Sequence, residues 1–283
     1  MAPHAEHDDN CVAKQLAAGV EDAGLNTILI TKIINCDAEA SAELFRACKD
    51  LGFFYLDIFE HALRNAARDK PVNLPKAFQE RRELFEATNK SLGDIGRVLL
   101  DSLSRSLELD AKDNLARHHH QDHASPTALG LLKYLPYNPA AEEVGHVSHT
   151  DIGSLSMVFS EVGGLQVYHP ERKAWVFIPP KPGHTVCNIG DSVEFLSNKA
   201  LRSSLHRVIP HPAEKGKSKM TVVYLMRPDT DTVFIDREGK KWRSVDWHNM
   251  KNRLFTEDLD SQASNLALTG RLGLDDLWDE KEV

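Results

Sequence analysis

Up to about residue 129 the apolar positions recur at helical spacing, and beyond it they alternate. LNTILI (25–30) is predicted as a strand. Asp37 stands where it can cap a helix through AEASAELFRACKDL, whose Leu44, Phe45, Cys48 and Leu51 recur three and four apart until Gly52 stops it. GFFYLDIF reads as a buried strand. From about 74 to 109, Leu84 and Phe85, then Ile95, Val98, Leu99, Leu103 and Leu107, trace one face of a long helix. Short runs of period two follow: LLKYL, LSMVF, LQVYH, AWVFI, HTVCNI, SLHRVI and MTVVYLM, punctuated by EVGG, PPKPG and IGD. In LSMVF, Leu155, Met157 and Phe159 share a face. The stretch from Asp246 onward reads as polar helix, clearest in NMKNRLF.

Many short strands between Gly- and Pro-rich turns predict a mainly β protein with flanking helices, built on a double-sheet jelly roll, the double-stranded β-helix. The expected division is a loose leader over 1–24, an α/β and helical support region over 25–129, a jelly-roll core over 130–245, and a helical tail over 246–283. No internal repeat is visible.

Composition narrows the function classes. Hydrophobic residues at 41% and charged residues at 27% are globular values. A net charge of -8, with no face coated by cations, speaks against nucleic acid as a partner. The acidic start MAPHAEHDDN has no apolar h-region and no stretch is long enough to span a bilayer, so a cytoplasmic protein without a membrane partner is expected. Cys11, Cys36, Cys48 and Cys187 are scattered without a C-x-x-C pair and read as reduced thiols.

Ahead of LSMVF, the segment HVSHTDIG puts His149 and Asp151 two apart, so both side chains point the same way if the backbone is extended. SLHRVI offers His206 from a separate strand. Two imidazoles and a carboxylate are the donor set of non-haem Fe(II) oxygenases, which leaves coordination positions open for dioxygen and a bidentate 2-oxo acid. The far carboxylate of such a co-substrate needs a counter-ion, and Lys219 with Thr221, again two apart, pairs a cation with a hydroxyl.

The segments HTDIGSLSMVF, GGLQVY, WVFIPP, NIGDSVEFLSN, RSSLHRVI and YLMRPD, with ACKDLGFFYLD upstream and LTG near residue 270, resemble the isopenicillin-N-synthase-like, 2-oxoglutarate-dependent Fe(II) dioxygenases. The resemblance implies that His149, Asp151 and His206 bind Fe(II), and that Lys219 and Thr221 stand where the family's Arg-x-Ser pair holds 2-oxoglutarate. It also implies an oxidoreductase that uses dioxygen to hydroxylate or desaturate a small organic molecule in specialised metabolism. Lysine for arginine replaces a planar fork with a point charge. In KYLP the family's tyrosine is one place early, making Tyr134 a co-substrate contact by resemblance only. After GFFYLD the chain reaches IFEHALRNAARDKPVNLPK without the several dozen residues the family carries there, which implies a more open pocket or an impaired catalyst. Two alternatives stay open: an iron oxidase of the same family that uses no 2-oxoglutarate, and a non-catalytic jelly-roll binding protein.

Other polar residues read as structural. His120 and Asp122 in RHHHQDH form a second H-x-D, assigned to a surface loop because no alternating run follows directly. His146 and His149, three apart on a strand, are expected to face opposite ways. Asp191 reads as a turn residue, while Asn188 is a candidate for approaching the metal pocket. Arg202, Arg207 and Arg227 could supply a guanidinium but read as ordinary charges. Neither HExxH nor paired cysteines favour zinc hydrolysis.

Overall fold

The computed structural model describes residues 21–57, 76–135, 145–209 and 218–270. IFEHALRNAARDKPVNLPK, apart from its last lysine, lies outside these residues, as do the first twenty residues of the expected leader and residues 271–283 of the expected tail.

The chain begins with β1 (Thr27–Leu29), then α1 (Ile30–Ile34), α2 (Ala38–Asp50) and β2 (Phe53–Asp57). The predicted strand LNTILI is therefore cut short. ITKII turns helical so that Ile30 and Ile33, three apart, both enter the core. α2 forms as its pattern predicts, with Asp37 Oδ1 accepting from the Ala40 amide at 2.8 Å. At its end Gly52 takes φ +73, and its amide reaches back to Ala47 O at 2.8 Å. A Cβ there would meet Arg202 O at 2.1 Å, so the turn accepts only glycine.

Two helices follow, α3 (Lys76–Gln79) and α4 (Arg82–Ser106). The jelly-roll strands are then β3 (Ala128–Tyr134), β4 (His146–His149), β5 (Leu155–Ser160), β6 (Leu165–His169), β7 (Ala174–Ile178), β8 (His184–Ile189), β9 (His206–Val208) and β10 (Lys219–Met226). A short helix, α5 (Asp191–Leu196), separates β8 from β9. Beyond β10, the hairpin β11 (Val233–Ile235) and β12 (Lys241–Arg243), which the reading of the sequence did not anticipate, leads into α6 (Ser244–Leu254), α7 (Leu259–Ser264) and α8 (Leu266–Thr269).

Six strands form one sheet in the order β1-β2-β8-β5-β10-β3, and four form a second in the order β4-β9-β6-β7. Period two explains the layering. Phe54, Leu56, Leu155, Met157, Cys187, Ile189, Tyr224 and Met226 leave one face of the larger sheet and share a core with Leu44, Leu92, Ile95, Leu99 and Leu103 from α2 and α4. Their neighbours Phe53, Tyr55 and Val186 leave the opposite face and meet Leu165, Val167, Val176 and Ile178 of the smaller sheet. The double-sheet jelly roll backed by helices is thus the observed architecture. The end of the expected leader is docked: Ala23 is buried and exchanges backbone bonds along β7 through Phe177. No helix among the described residues is long and apolar enough to cross a membrane.

Candidate functional site

His149 closes β4 and His206 opens β9, and the two are direct partners in that antiparallel pair. Partners across an antiparallel ladder project to the same side, and the ring centroids are 4.3 Å apart. Two residues on, Asp151 turns Oδ1 to within 3.6 Å of His149 Nε2 and 3.7 Å of His206 Nε2. Three side chains distant in sequence thereby gather their donor atoms within 4.8 Å of one another.

Each of the three is held by its second polar atom. His149 Nδ1–H donates to Val147 O at 2.7 Å and His206 Nδ1–H to Ser204 O at 3.0 Å. A ring nitrogen that donates to a carbonyl leaves Nε2 with a free lone pair in the neutral imidazole. Asp151 Oδ2 accepts from Ser156 Oγ at 2.5 Å and Asn188 Nδ2 at 2.6 Å, which reserves Oδ1 for the cluster. Burial alone would raise the Asp151 carboxyl, yet the two imidazoles and the Asn188 bond hold it well below the usual carboxylate range. Burial, reinforced by His149, pushes His206 down to about 4. Two neutral nitrogens and one anionic oxygen, each oriented from behind, suit Fe(II) in the open arrangement expected of an oxygenase.

The cluster opens into a cavity of about 360 Å³ between the sheets. Lys219, Thr221, Val223 and Leu225, alternate residues of β10, line it. Tyr134 and Leu132 of β3, registered opposite Lys219 and Thr221, line it too. Lys219 is buried with its ammonium 5.7 Å from the centre of the Tyr134 ring, and Thr221 Oγ1 donates to Ser160 Oγ at 3.4 Å. The structure thus brings all six residues singled out in the sequence, His149, Asp151, His206, Lys219, Thr221 and Tyr134, to the walls of one chamber.

Known proteins can be set beside this geometry. The profile of the 2OG-Fe(II) oxygenase superfamily matches residues 126–228. The chain is 37% identical over 186 residues to the 2-oxoglutarate-dependent dioxygenase iboH of Amanita muscaria, covering 65% of this chain and 89% of that protein. The chain belongs to the 2-oxoglutarate/Fe(II) oxygenase superfamily. A second member, the 2-oxoglutarate-dependent dioxygenase frbH of a Dothideomycetidae species, is 27% identical over 314 residues, covering 90% of this chain and 98% of its own. Among solved structures, Neurospora crassa T7H in complex with alpha-KG superposes with a TM-score of 0.63 at 18% identity, over 82% of this chain and 97% of that one. The dioxygenase for auxin oxidation in rice gives 0.61 at 17% identity, over 84% and 98%. These two show a shared fold. As a member of the superfamily the protein is an oxidoreductase that works with iron and 2-oxoglutarate.

Within this dioxygenase several expectations need correction. His146 does not face away from His149: the register shifts between them, and this irregularity swings His146 into the cavity with its ring 4.2 Å from that of His149. Burial, with the neighbouring imidazoles, pushes His146 down to about 3. Asp191 is more than a turn residue. It is fully buried and ion-paired to Lys251 and, at 3.2 Å, to Arg237. The exposed His120 does lie in a loop, but its partner is Asp229, 2.6 Å from Nδ1, with His123 Nδ1 at 3.1 Å from the same oxygen. Arg207 is an inter-strand charge, bonded to Gln166 and stacked over Trp175. Arg227 instead lines the cavity.

Sequence reasoning passed over Ser156, Lys251 and Phe255. Ser156 sits one place from Met157, in the opposite alternation of LSMVF, so its inward face was legible in the period. Lys251 comes from α6 and Phe255 from its carboxy-terminal cap, and nothing in NMKNRLF signals what they touch.

Proposed function

We propose that His149, Asp151 and His206 hold the Fe(II) of this dioxygenase, and that Lys219 and Thr221, with Tyr134 alongside, bind the distal carboxylate of 2-oxoglutarate. The observation that carries this reading is the convergence of His149 Nε2, His206 Nε2 and Asp151 Oδ1, each with its other polar atom engaged elsewhere. Bound there, iron supplies the oxygen-activating chemistry that side chains lack, with 2-oxoglutarate as electron source.

The chain's own part is positioning and exclusion. The neutral imidazoles and the Asp151 carboxylate present lone pairs toward the cavity. The Lys219 ammonium offers charge, and the Thr221 hydroxyl, turning from its long bond to Ser160, a directed donor to one end of a dicarboxylate, which sets its opposite end toward the cluster. Leu132, Val158, Val223 and Leu225 add apolar wall between these polar groups, which strengthens the polar contacts and keeps bulk water from the reacting atoms. A chamber of about 360 Å³ shared with a co-substrate limits the substrate to a small organic molecule, hydroxylated or desaturated at a carbon near the cluster.

Anaerobic addition of Fe(II) and then 2-oxoglutarate to the protein gives a visible absorption band that His206→Ala removes, and aerobic turnover yields succinate. Absence of the band in the intact protein would sink the assignment. Oxygen consumption without succinate would identify an oxidase that draws its electrons elsewhere.

A further inference from the structure

β10 carries one cation at its start and a second just past its end. Lys219, Thr221, Val223, Leu225 and Arg227 are alternate residues, and all line the cavity. Eight residues at the rise of a strand set Lys219 and Arg227 roughly 26 Å apart along the backbone. Asp151 lies between these ends, close to the second: its carboxylate is bonded to Ser156, and Ser156 is registered opposite Leu225. Lys219 and Arg227 therefore approach the metal cluster from opposite sides.

Arg227 is an unusual residue to find there. Its backbone amide donates to Thr127 Oγ1 and its Nη1 to Pro126 O, while Nε is buried with no hydrogen-bond partner. Among the described residues no carboxylate forms an ion pair with it. Its side chain packs on Gly153, where a Cβ would come within 2.8 Å of Arg227 Cγ. His248, whose imidazole is depressed by burial and then by the Arg227 charge, also buries Nδ1 without a partner. One turn further along α6 is Asn252, and then Phe255, both lining the cavity. A buried guanidinium with an unmet donor is costly unless an acceptor arrives, and its planar fork fits a carboxylate through two parallel bonds.

We propose that Arg227 receives a carboxylate of the substrate, so that this dioxygenase acts on a small carboxylic acid seated at the end of the cavity opposite 2-oxoglutarate. The proposal rests on the assignment of Lys219 to the co-substrate. With its carboxylate at Arg227, the acid's carbon chain runs past Ile152 toward the cluster, which places the carbons nearest the carboxylate within reach of oxidation.

The test uses the full chain loaded with Zn(II) and N-oxalylglycine, an arrangement that does not turn over. A mixture of three- to six-carbon monocarboxylic, dicarboxylic and amino acids, with the matching primary amides, is presented in ligand-observed NMR. Certain acids bind at least about tenfold more tightly than their amides, and Arg227→Gln removes that preference while N-oxalylglycine affinity stays within about twofold. Arg227→Lys, which keeps the charge and loses the fork, retains the preference for acids at weaker affinity. Equal binding of acids and amides to the intact protein, or a preference for acids that persists in Arg227→Gln, overturns the role of Arg227 and leaves the co-substrate site untouched. Loss of N-oxalylglycine in Arg227→Gln with its retention in Lys219→Met overturns both assignments, because the guanidinium would then be holding the co-substrate.

Discussion

Lys251 Nζ donates to Thr150 Oγ1 at 2.6 Å, on the side of the H-T-D segment away from the cavity. Thr150 is the residue between two proposed metal ligands, and its amide is also tied, at 3.0 Å, to Leu268 O. The same ammonium is ion-paired to Asp191, and both side chains are fully buried. Burial pulls the Lys251 pKa down while Asp191 pulls it back, and Arg237 closes the group through Asp191 and Glu194. A buried ionic group thus fastens α6 to the H-T-D segment of the site.

Removing one partner of such a pair leaves a charge buried and uncompensated. Lys251→Met is expected to destabilise the protein by about 3–5 kcal/mol, and adding Asp191→Asn recovers part of the loss. Chemical denaturation of the single and double variants checks this. Equal stability of Lys251→Met and the parent would show that the pair contributes nothing.

Ser156 and Asn188 both act on Asp151 Oδ2 and touch nothing else in the cluster. Asn188→Ala and Ser156→Ala each free the carboxylate to rotate, and each is expected to weaken metal binding about 10–100-fold with little change in melting temperature. Calorimetric titration with Mn(II), which takes the same hard and borderline ligands without oxidising, reads the loss directly.

Lys219 is buried at the end of the cavity proposed for the co-substrate. Lys219→Met removes the only charge proposed to face the distal carboxylate and is expected to raise the KM for 2-oxoglutarate by at least about 30-fold, the low end of what truncating a buried charge pair costs. Lys219→Arg retains most of the affinity. An unchanged KM in Lys219→Met would move the co-substrate elsewhere.

His119 supplies a pH dependence. It is buried, donates from Nδ1 to Leu115 O at 3.0 Å and accepts at Nε2 from Ser154 Oγ at 2.6 Å, a pattern that needs the neutral ring. Burial pushes it down to about 3 against an ordinary 6.5, a shift the Leu115 bond only partly opposes, with His118, Asp229 and Arg97 as the nearest charges. The unfolded chain therefore binds a proton between pH 6.5 and 3 that the folded chain refuses. The stabilisation is complete above pH 6.5 and is lost as pH falls toward 3, at up to about 1.4 kcal/mol per pH unit. His119→Gln should flatten the stability curve by about one proton over that window. Parallel curves for the parent and the variant would contradict the neutral ring.

Part of this protein is written in local pattern. α2, its Asp37 cap and its Gly52 stop are legible because a helix end is made by residues a few places apart. The strands from LLKYL to MTVVYLM are legible because a half-buried strand must alternate. His149, Asp151 and Lys219 stand out for the same reason: i and i+2 share a face wherever the backbone is extended. Long-range contact is another matter. The opposition of His149 to His206 depends on strand register, and the turn of His146 into the cavity on one irregularity in β4. Lys251 reaching Thr150 and Arg227 reaching the far side of the cluster depend on how α6 and the end of β10 pack. Which residues can face inward is set by local order, because period is a property of neighbours along the chain. Which of them meet is settled in the folded chain alone, because register and packing follow from the burial of whole faces, and no single residue carries that information.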